Sequence, residues 1–391
     1  DVAPSRGLGD VYKRQGFPSS YYLSSEIQNY YLKPENVESW EVGLEGKLFK
    51  SRLNFDVAYY HSETTDQIIT VPIDQAVGAT SVVVNAGCVR NRGVEISARF
   101  QPVKTKEFEW TISANWSKNW NKLVELADGV AMWNLNPNIT VGGNIYIRAY
   151  PGTELGRLYG RGYERAPEGA FYVDADGSYV DCSNQIVVDA ETGSARLTST
   201  EDELLDLGSI YPDWTAGMSH SLSYKGFRLG LSFSAQWGGK TYSMTHFALA
   251  YQGKLKNSLK GRYAGMIVPG VNLNENGTYS KNTTITTDIV DHYTNYVYAR
   301  ENAEENVFDT SFLKLKELRL EYSLPRHLCS KTRVFQGITV GVYATNLFCW
   351  TNFPLYDPEA GYAVGSSISR GIEAGAYPMT RTYGINLKLD F

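Results

Sequence analysis

The stretch "VDADGSYVD" places three carboxylates, Asp174, Asp176 and Asp181, around a glycine turn with Ser178 among them. Hard oxygen ligands at such spacing can hold Ca²⁺. A calcium loop counted from Asp174 would end on Gln185 where a bidentate Glu is wanted, and the same residues serve equally as Asx-type turns. Four large flat side chains, Trp133, Tyr242, Trp350 and Phe353, fall in or beside long segments between alternating runs. They could stack on sugar rings, pack loops or mark a membrane interface. Catalysis finds no support. Five histidines are scattered without a Ser–His–Asp grouping. No glycine pair forms a phosphate-binding loop. The four cysteines, Cys88, Cys182, Cys329 and Cys349, include no CxxC pair, so neither zinc nor redox chemistry is indicated. Apart from Ca²⁺, no cofactor is expected.

The elements that would position these residues alternate with period two. "SWEVGLEGKLF" sets Trp40, Val42 and Leu44 against Glu41, Glu45 and Lys47. "EFEWTISANWSKN" sets Trp110, Ile112 and Ala114 against Glu109, Thr111 and Ser113, and "GFRLGLSFSAQW" sets Leu229, Leu231 and Phe233 against Arg228, Gly230 and Ser232. Such runs last about ten residues, longer than the five or six of a soluble strand and suited to a tilted strand crossing a bilayer. About eleven are expected, near 38–49, 52–63, 93–102, 107–118, 143–150, 155–164, 213–224, 226–238, 311–323, 335–346 and 379–391. Short links such as "FKSR" and "YKG" alternate with long segments near 64–92, 119–143, 165–213, 239–310 and 350–377. Transmembrane barrels sort their turns and outer loops in this way. In "FLKLKELRLEYSLP" the apolar parity changes between Leu315 and Leu318, which predicts a β-bulge near Lys316–Glu317. His220 falls on the apolar face, between Met218 and Leu222.

Bulk properties agree. The 391 residues carry a net charge of −5, too mild to argue for nucleic acid, and aromatics make up 13%, which suits girdles at two membrane interfaces. Mean hydropathy is −0.32, and no apolar run reaches the length of a membrane helix. Cys88 and Cys182 both map to expected outer loops, where they could pair; Cys329 maps to a short turn.

Several segments resemble SusC/RagA-type TonB-dependent transporters: "LKPENVESWEVGLEGKLFKSRLNFDVAYYHSETTDQII", "NRGVEISARFQPVKTKEFEWTISANWSKNWNKL", "SFLKLKELRLEYSLP", "ATNLFCWTNFPLYDPEAG" and "YPMTRTYGINLKLDF". The resemblance runs from about residue 21 to Phe391. It implies an all-β, antiparallel outer-membrane barrel of 22 strands, of which residues 16–391 would be the C-terminal half, an open half-barrel with plug and N-terminal strands missing. Residues 1–15, "DVAPSRGLGDVYKRQ", resemble translated adapter sequence and are expected to be non-native. The implied activity is active import of nutrients such as oligosaccharides or peptides. The implied partners are a SusD-like surface lipoprotein, the TonB–ExbB–ExbD motor, outer-membrane lipid and the barrel-assembly machinery. That machinery would read a terminal strand carrying Tyr383 and Phe391, with the C-terminus at the periplasmic side. Lumen residues would include Glu41, Glu45, Glu95, Arg99, Glu109 and Arg228. Two rival classes are an outer-membrane barrel enzyme, which needs a clustered nucleophile and base, and a soluble glycan-binding β protein, which needs its apolar faces to meet in a dry core.

Overall fold

The computed structural model describes residues 26–27, 29–73, 78–79, 81–135, 145–199, 204–329, 331, 334–359, 362–364 and 367–391. The expected non-native segment 1–15 lies outside them. Nine antiparallel strands form one continuous sheet in chain order. They are β1 (Asn36–Leu48), β2 (Leu53–Pro72), β3 (Ser81–Lys104), β4 (Phe108–Leu126), β5 (Trp214–Tyr224), β6 (Phe227–Trp237), β7 (Phe312–Ser323), β8 (Gly337–Thr351) and β9 (Thr382–Asp390). A two-residue segment, Glu26–Ile27, runs parallel to the start of β3.

The alternation sorts side chains as expected. Across the sheet, Leu222, Leu229, Leu320, Val342 and Ile385 are register partners on the apolar face. One residue away, Ser223, Arg228, Glu321, Gly341 and Asn386 line up on the polar face. Among the described residues no second sheet covers the apolar ones: Leu320 on the interior strand β7 is 42% exposed and Trp40 is 53% exposed. A water-soluble sandwich would bury this face; here it is left for hydrocarbon. Aromatic rows bound it. Phe108, Tyr224, Phe227 and Tyr322 lie toward the short turns, with ring centroids 6.4 Å apart for Phe108–Tyr224 and 4.4 Å for Phe227–Tyr322. At the other end Trp214 pairs with Trp237. From Tyr224 to Trp214 the strand rises about 33 Å, enough for a tilted crossing.

The expected bulge is present. Glu317 pairs with Ser232 and Leu315 with Phe233, so Lys316 is the extra residue. Opposite it, Asn346 adopts φ 53° and the β8 ladder jumps from Thr345 to Phe348. One turn shows why the short links stay short: Lys225 and Gly226 both take positive φ, 44° and 90°, the geometry that lets a two-residue link follow the strand twist.

Three expectations need correction. The runs at 143–150 and 155–164 are strands in part (Ile145–Ala149 and Arg157–Gly160), but they leave the main sheet. They join Trp133–Asn134 and Leu205–Ser209 in a separate four-stranded sheet. Their linking turn, expected on the short-turn side, instead docks on the far end of β4: Leu123 N–H donates to Thr153 O at 2.9 Å, and Gly152 N–H to Leu123 O at 2.8 Å. The segment 64–92, expected to be an outer loop, is largely strand, because β2 and β3 run for 20 and 24 residues. Beyond the hydrocarbon both strand faces are available to water or to other loops, so the period-two signal fades while the ladder continues.

Candidate lumen wall and outer cap

The polar face and the material at its far end form the candidate site. Glu41, Glu45, Glu95, Arg99, Glu109 and Arg228 all fall on this face by register. Toward the short turns it bounds a cavity of about 1200 Å³ lined by Glu109, Arg228, Arg319, Glu321 and Lys388. Charges alternate there: Arg319 pairs with Glu317 at 2.9 Å, and Lys388 with Asp390 at 3.2 Å. Such a wall hydrates a passage and can hold a polar body inside it. Tyr60 lies flat over Gly93, where a Cβ would sit 2.4 Å from its ring. Its hydroxyl reaches on to Asn119 Oδ1 at 3.0 Å.

The described parts of the long excursions 127–213, 238–311 and 352–381 collapse on one another at the far end. One core joins all three: Ile145, Ile147 and Leu158 from the first, Tyr242 and Ala303 from the second, Ile372 from the third. The ladder of Lys240–Ser243 with Val307–Asp309 and Ile372–Glu373 ties the second to the third. Glu373, fully buried, is held by hydroxyls: Ser243 Oγ and Thr245 Oγ1 each donate to it at 2.6 Å. Ser243 also caps helix α1 (Met244–Tyr251) by accepting from His246 N–H at 3.0 Å. Burial sets the titration of the cap. It lowers the pKa of His246, which keeps a hydrogen bond to Asn306, and that of His292. It raises Glu305, with the Glu304 charge acting in the same direction.

Cap and wall are joined at the bulge. Lys314 is 4% exposed. It donates to Asp357 at 2.6 Å and also to Glu359, which in turn accepts from Lys316 at 2.6 Å. The lysine partners hold Glu359 below the usual carboxylate range against the opposing effect of burial. This quartet was not anticipated as a site. The available signal was two lysines on the polar face of "FLKLKEL" and two acids in "YDPE", forty residues apart.

The aromatic candidates separate. Tyr242 is 0% and Phe353 5% exposed, so both rings are covered and their observed role is packing. Phe353 meets Phe308 edge-on at 6.0 Å. Trp133 packs on Val89, Leu123 and Ala149. Trp350 lies on the outward face of β8, stacked on Phe348 at 5.6 Å; its Leu313 partner belongs to the apolar set. None of the four is brought together with another.

The carboxylates are local. Asp176 accepts from Ser178 N–H at 2.9 Å, and Asp181 from Ser183 N–H at 2.8 Å and its hydroxyl at 2.6 Å. Hydrogen bonds from Ser178 and Ser183 lower their respective pKa values. Asp174 bounds the hairpin turn, whereas Asp181 pairs with Phe171 at its base, so the three do not converge. Among the described residues no group of three or more His, Cys, Asp or Glu is placed to hold a metal ion. Cys88 and Cys182 are separate buried thiols. Cys88 belongs to strand β3 and Cys182 packs with Ala166, Tyr172 and Val271, so the pairing left open by the sequence is not formed. His220 does lie on the apolar face, where the Trp110 indole N–H donates to its Nδ1 at 3.3 Å. Tyr383 and Phe391 are both exposed, and the Phe391 ring is 5.2 Å from Phe335 at the short-turn end.

The model for the TonB dependent receptor-like beta-barrel family matches residues 6–347. TonB-dependent receptor P3 of Formosa agariphila is 27% identical over 378 residues, covering 94% of this chain and 35% of the relative. TonB-dependent receptor SusC of Bacteroides thetaiotaomicron is 23% identical over 403 residues, covering 98% and 35%. A solved structure of the RagAB peptide importer in its closed-closed state overlays with TM-score 0.69 at 22% identity, covering 98% of this chain and 38% of that one. The chain thus spans about a third of the length of the curated relatives it matches.

Proposed function

The chain belongs to the TonB-dependent receptor-like β-barrel family, and from that premise we propose that it supplies wall strands and outer loops of an outer-membrane nutrient importer. One observation carries the reading. Nine strands expose an uncovered apolar face on one side and a polar, cavity-lined face on the other. Further strands of the same barrel would pair with the free edges of β1 and β9, whose unpaired backbone groups would be costly in hydrocarbon. In the proposed mechanism a ligand is captured at the outer cap beneath a SusD-like lipoprotein. TonB, energised by ExbB–ExbD, then displaces a plug from the polar lumen. Binding, release and orientation are the only chemistry asked of this chain. Its short-turn end faces the periplasm, and Tyr383 and Phe391 present the strand recognised during barrel assembly. The cargo class is oligosaccharide or peptide; the RagAB likeness is one of fold.

Uptake by cells carrying the full-length protein tests this. Labelled oligosaccharides and oligopeptides should accumulate only with an intact TonB system, and the protein should fractionate with the outer membrane. Uptake that survives loss of TonB would overturn the reading.

A further inference from the structure

Toward the far end of β3 and β4 the outward face stops being apolar. Ile96 and Trp116, register partners, still belong to the hydrocarbon band. Beyond them on the same face Val94 pairs with Lys118, Arg92 with Trp120 and Arg90 with Lys122. Their outward direction follows from the residues that alternate with them: Tyr60, Gly93 and Asn119 meet on the polar face.

The cations are gathered into a notch. The β5 ladder reaches only as far as Ser117 on β4. Past that point the turn 150–155 takes the edge of β4, with Leu155 N–H donating to Asn121 Oδ1 at 2.6 Å. The turn walls a cavity of about 300 Å³ lined by Arg90, Arg92, Trp120, Lys122, Gly152 and Glu154. Two of these charges are already matched: Arg90 pairs with Glu63 at 2.7 Å, and Glu154 with Arg157 at 3.6 Å. Arg92 and Lys122 are exposed, and Lys118 lies 5.0 Å over the Trp120 ring. Among the described residues none of these last three cations has a carboxylate within ion-pairing distance. The acids of this corner, Glu38, Glu63 and Glu125, lie level with Arg90 or farther out. The band next to the hydrocarbon is therefore cationic.

Below the notch the apolar face is hollowed. Ala98 pairs with Ala114, and Ala216 with Ala235. These short side chains floor an apolar depression of about 540 Å³ whose rim includes Ile96, Trp116 and Phe233. Ala98 is six residues from Arg92, about 20 Å along the strand, within the span of one extended acyl chain.

Snorkelling accounts for a single long cation at a strand end, but not for three on one notch with a hollow beneath it. A water-soluble anion would fill the notch and leave the hollow, and a neutral lipid would do the reverse. An anion carrying a long apolar chain fits both. Arg and Lys side chains match phosphate oxygens, and clustered cations at a membrane surface attract anionic headgroups.

We propose that the outward face of β3–β5 binds a phosphorylated lipid of the surrounding leaflet, with its phosphate on Arg92, Lys118 and Lys122 and an acyl chain in the depression over Ala98 and Ala114. The site rests on the functional reading above, which puts this end of the barrel in the outer leaflet.

The test is native mass spectrometry of the full-length importer in detergent, titrated with diphosphoryl lipid A and with the same lipid stripped of its phosphates. Wild type is compared with Arg92→Gln/Lys118→Gln/Lys122→Gln and with Ala98→Phe/Ala114→Phe, which fills the hollow. A third variant, Lys104→Gln/Lys106→Gln, removes exposed cations at the short-turn end. Heat-modifiable mobility on gels shows that each barrel is folded. Wild type should bind the phosphorylated lipid more than about tenfold tighter than the stripped one, and the triple variant should lose that preference. The filled variant should weaken both lipids, and the short-turn variant neither. Equal binding of the two lipids by wild type overturns the phosphate site. A loss in the short-turn variant as large as in the triple variant overturns it as well, as unspecific attraction. Displacement by inorganic phosphate at the lipid's own concentration, with the filled variant unaffected, overturns the lipid in favour of a free anion. TonB-dependent uptake is scored separately, so each of these failures leaves the importer reading standing.

Discussion

Leu158 and Leu320 are the same residue in opposite surroundings. Leu158, in the cap, is 0% exposed and packs among Ile145, Ile147 and Ile372. Leu320, on an interior strand of the main sheet, is 42% exposed with apolar neighbours on either side. Within one chain, apolar side chains are hidden from solvent in one region and offered to it in the other. The ladders on both sides of Leu320 pair residue for residue from Leu318 to Tyr322, so this is not poor packing. The two regions are built for two solvents: the cap must make its own core, whereas the strand band obtains its apolar environment from outside the protein.

The junction between the regions should show the largest effect. Lys314→Met leaves Asp357 without its buried cation and should cost about 3–5 kcal/mol, read as early proteolysis of the 352–381 segment in the refolded importer. An unchanged cleavage pattern would mean the regions are not coupled at the bulge. Next come substitutions that probe the solvent directly. Leu231→Arg, midway between the two aromatic rows and level with Leu318, should cost about 2–4 kcal/mol in lipid vesicles, whereas Ser219→Arg, at similar depth on the polar face, should cost close to zero. Equal costs would break the contrast. A smaller effect is expected within the sheet. A Cβ on Gly384 would sit 2.4 Å from the Tyr343 ring, so Gly384→Val should lose about 1–3 kcal/mol by overpacking. Gly43 meets only the Val57 carbonyl, at 3.6 Å, and Gly43→Ala should be nearly neutral in the same unfolding assay.

The smallest effect concerns pH and belongs to the cap alone. Burial lowers the pKa of His246 and His292. Below about pH 6.5 the unfolded imidazoles gain protons that the folded ones resist, so their contribution is present above that pH and lost as pH falls toward their folded values. Glu305, with its raised pKa, acts oppositely, losing its contribution as pH rises from the ordinary carboxylate range. His246→Gln should therefore flatten the loss of cap protease resistance between about pH 6.5 and 5 without altering the barrel's gel mobility.

The strand band was legible in the sequence because two different solvents print a period of two on it. Even the slip at Lys316 could be read, since one extra residue reverses parity for all that follow. Legibility ended where the second solvent ended. Thr64, Thr65 and Gln67 are polar on both faces although they lie within β2, a single strand. Ile145, Ile147 and Leu158 alternate as a membrane strand does, yet protein covers them, and alternation does not say what does the covering. The burial of Tyr242 and Phe353, and the meeting of Lys314 with Asp357, depend on contacts between residues far apart in sequence that no local pattern encodes.

The core shared by all three excursions also constrains the order of events during folding. Ile145 and Ile372 belong to one cluster yet are separated by most of the chain, so their contact carries a large loop-closure cost until intervening strands have paired. The cap therefore assembles late. While the strands zip together, its hydrophobic residues stand uncovered at the far end of the sheet, which makes this stage the one most open to aggregation and the natural moment for a chaperone to act.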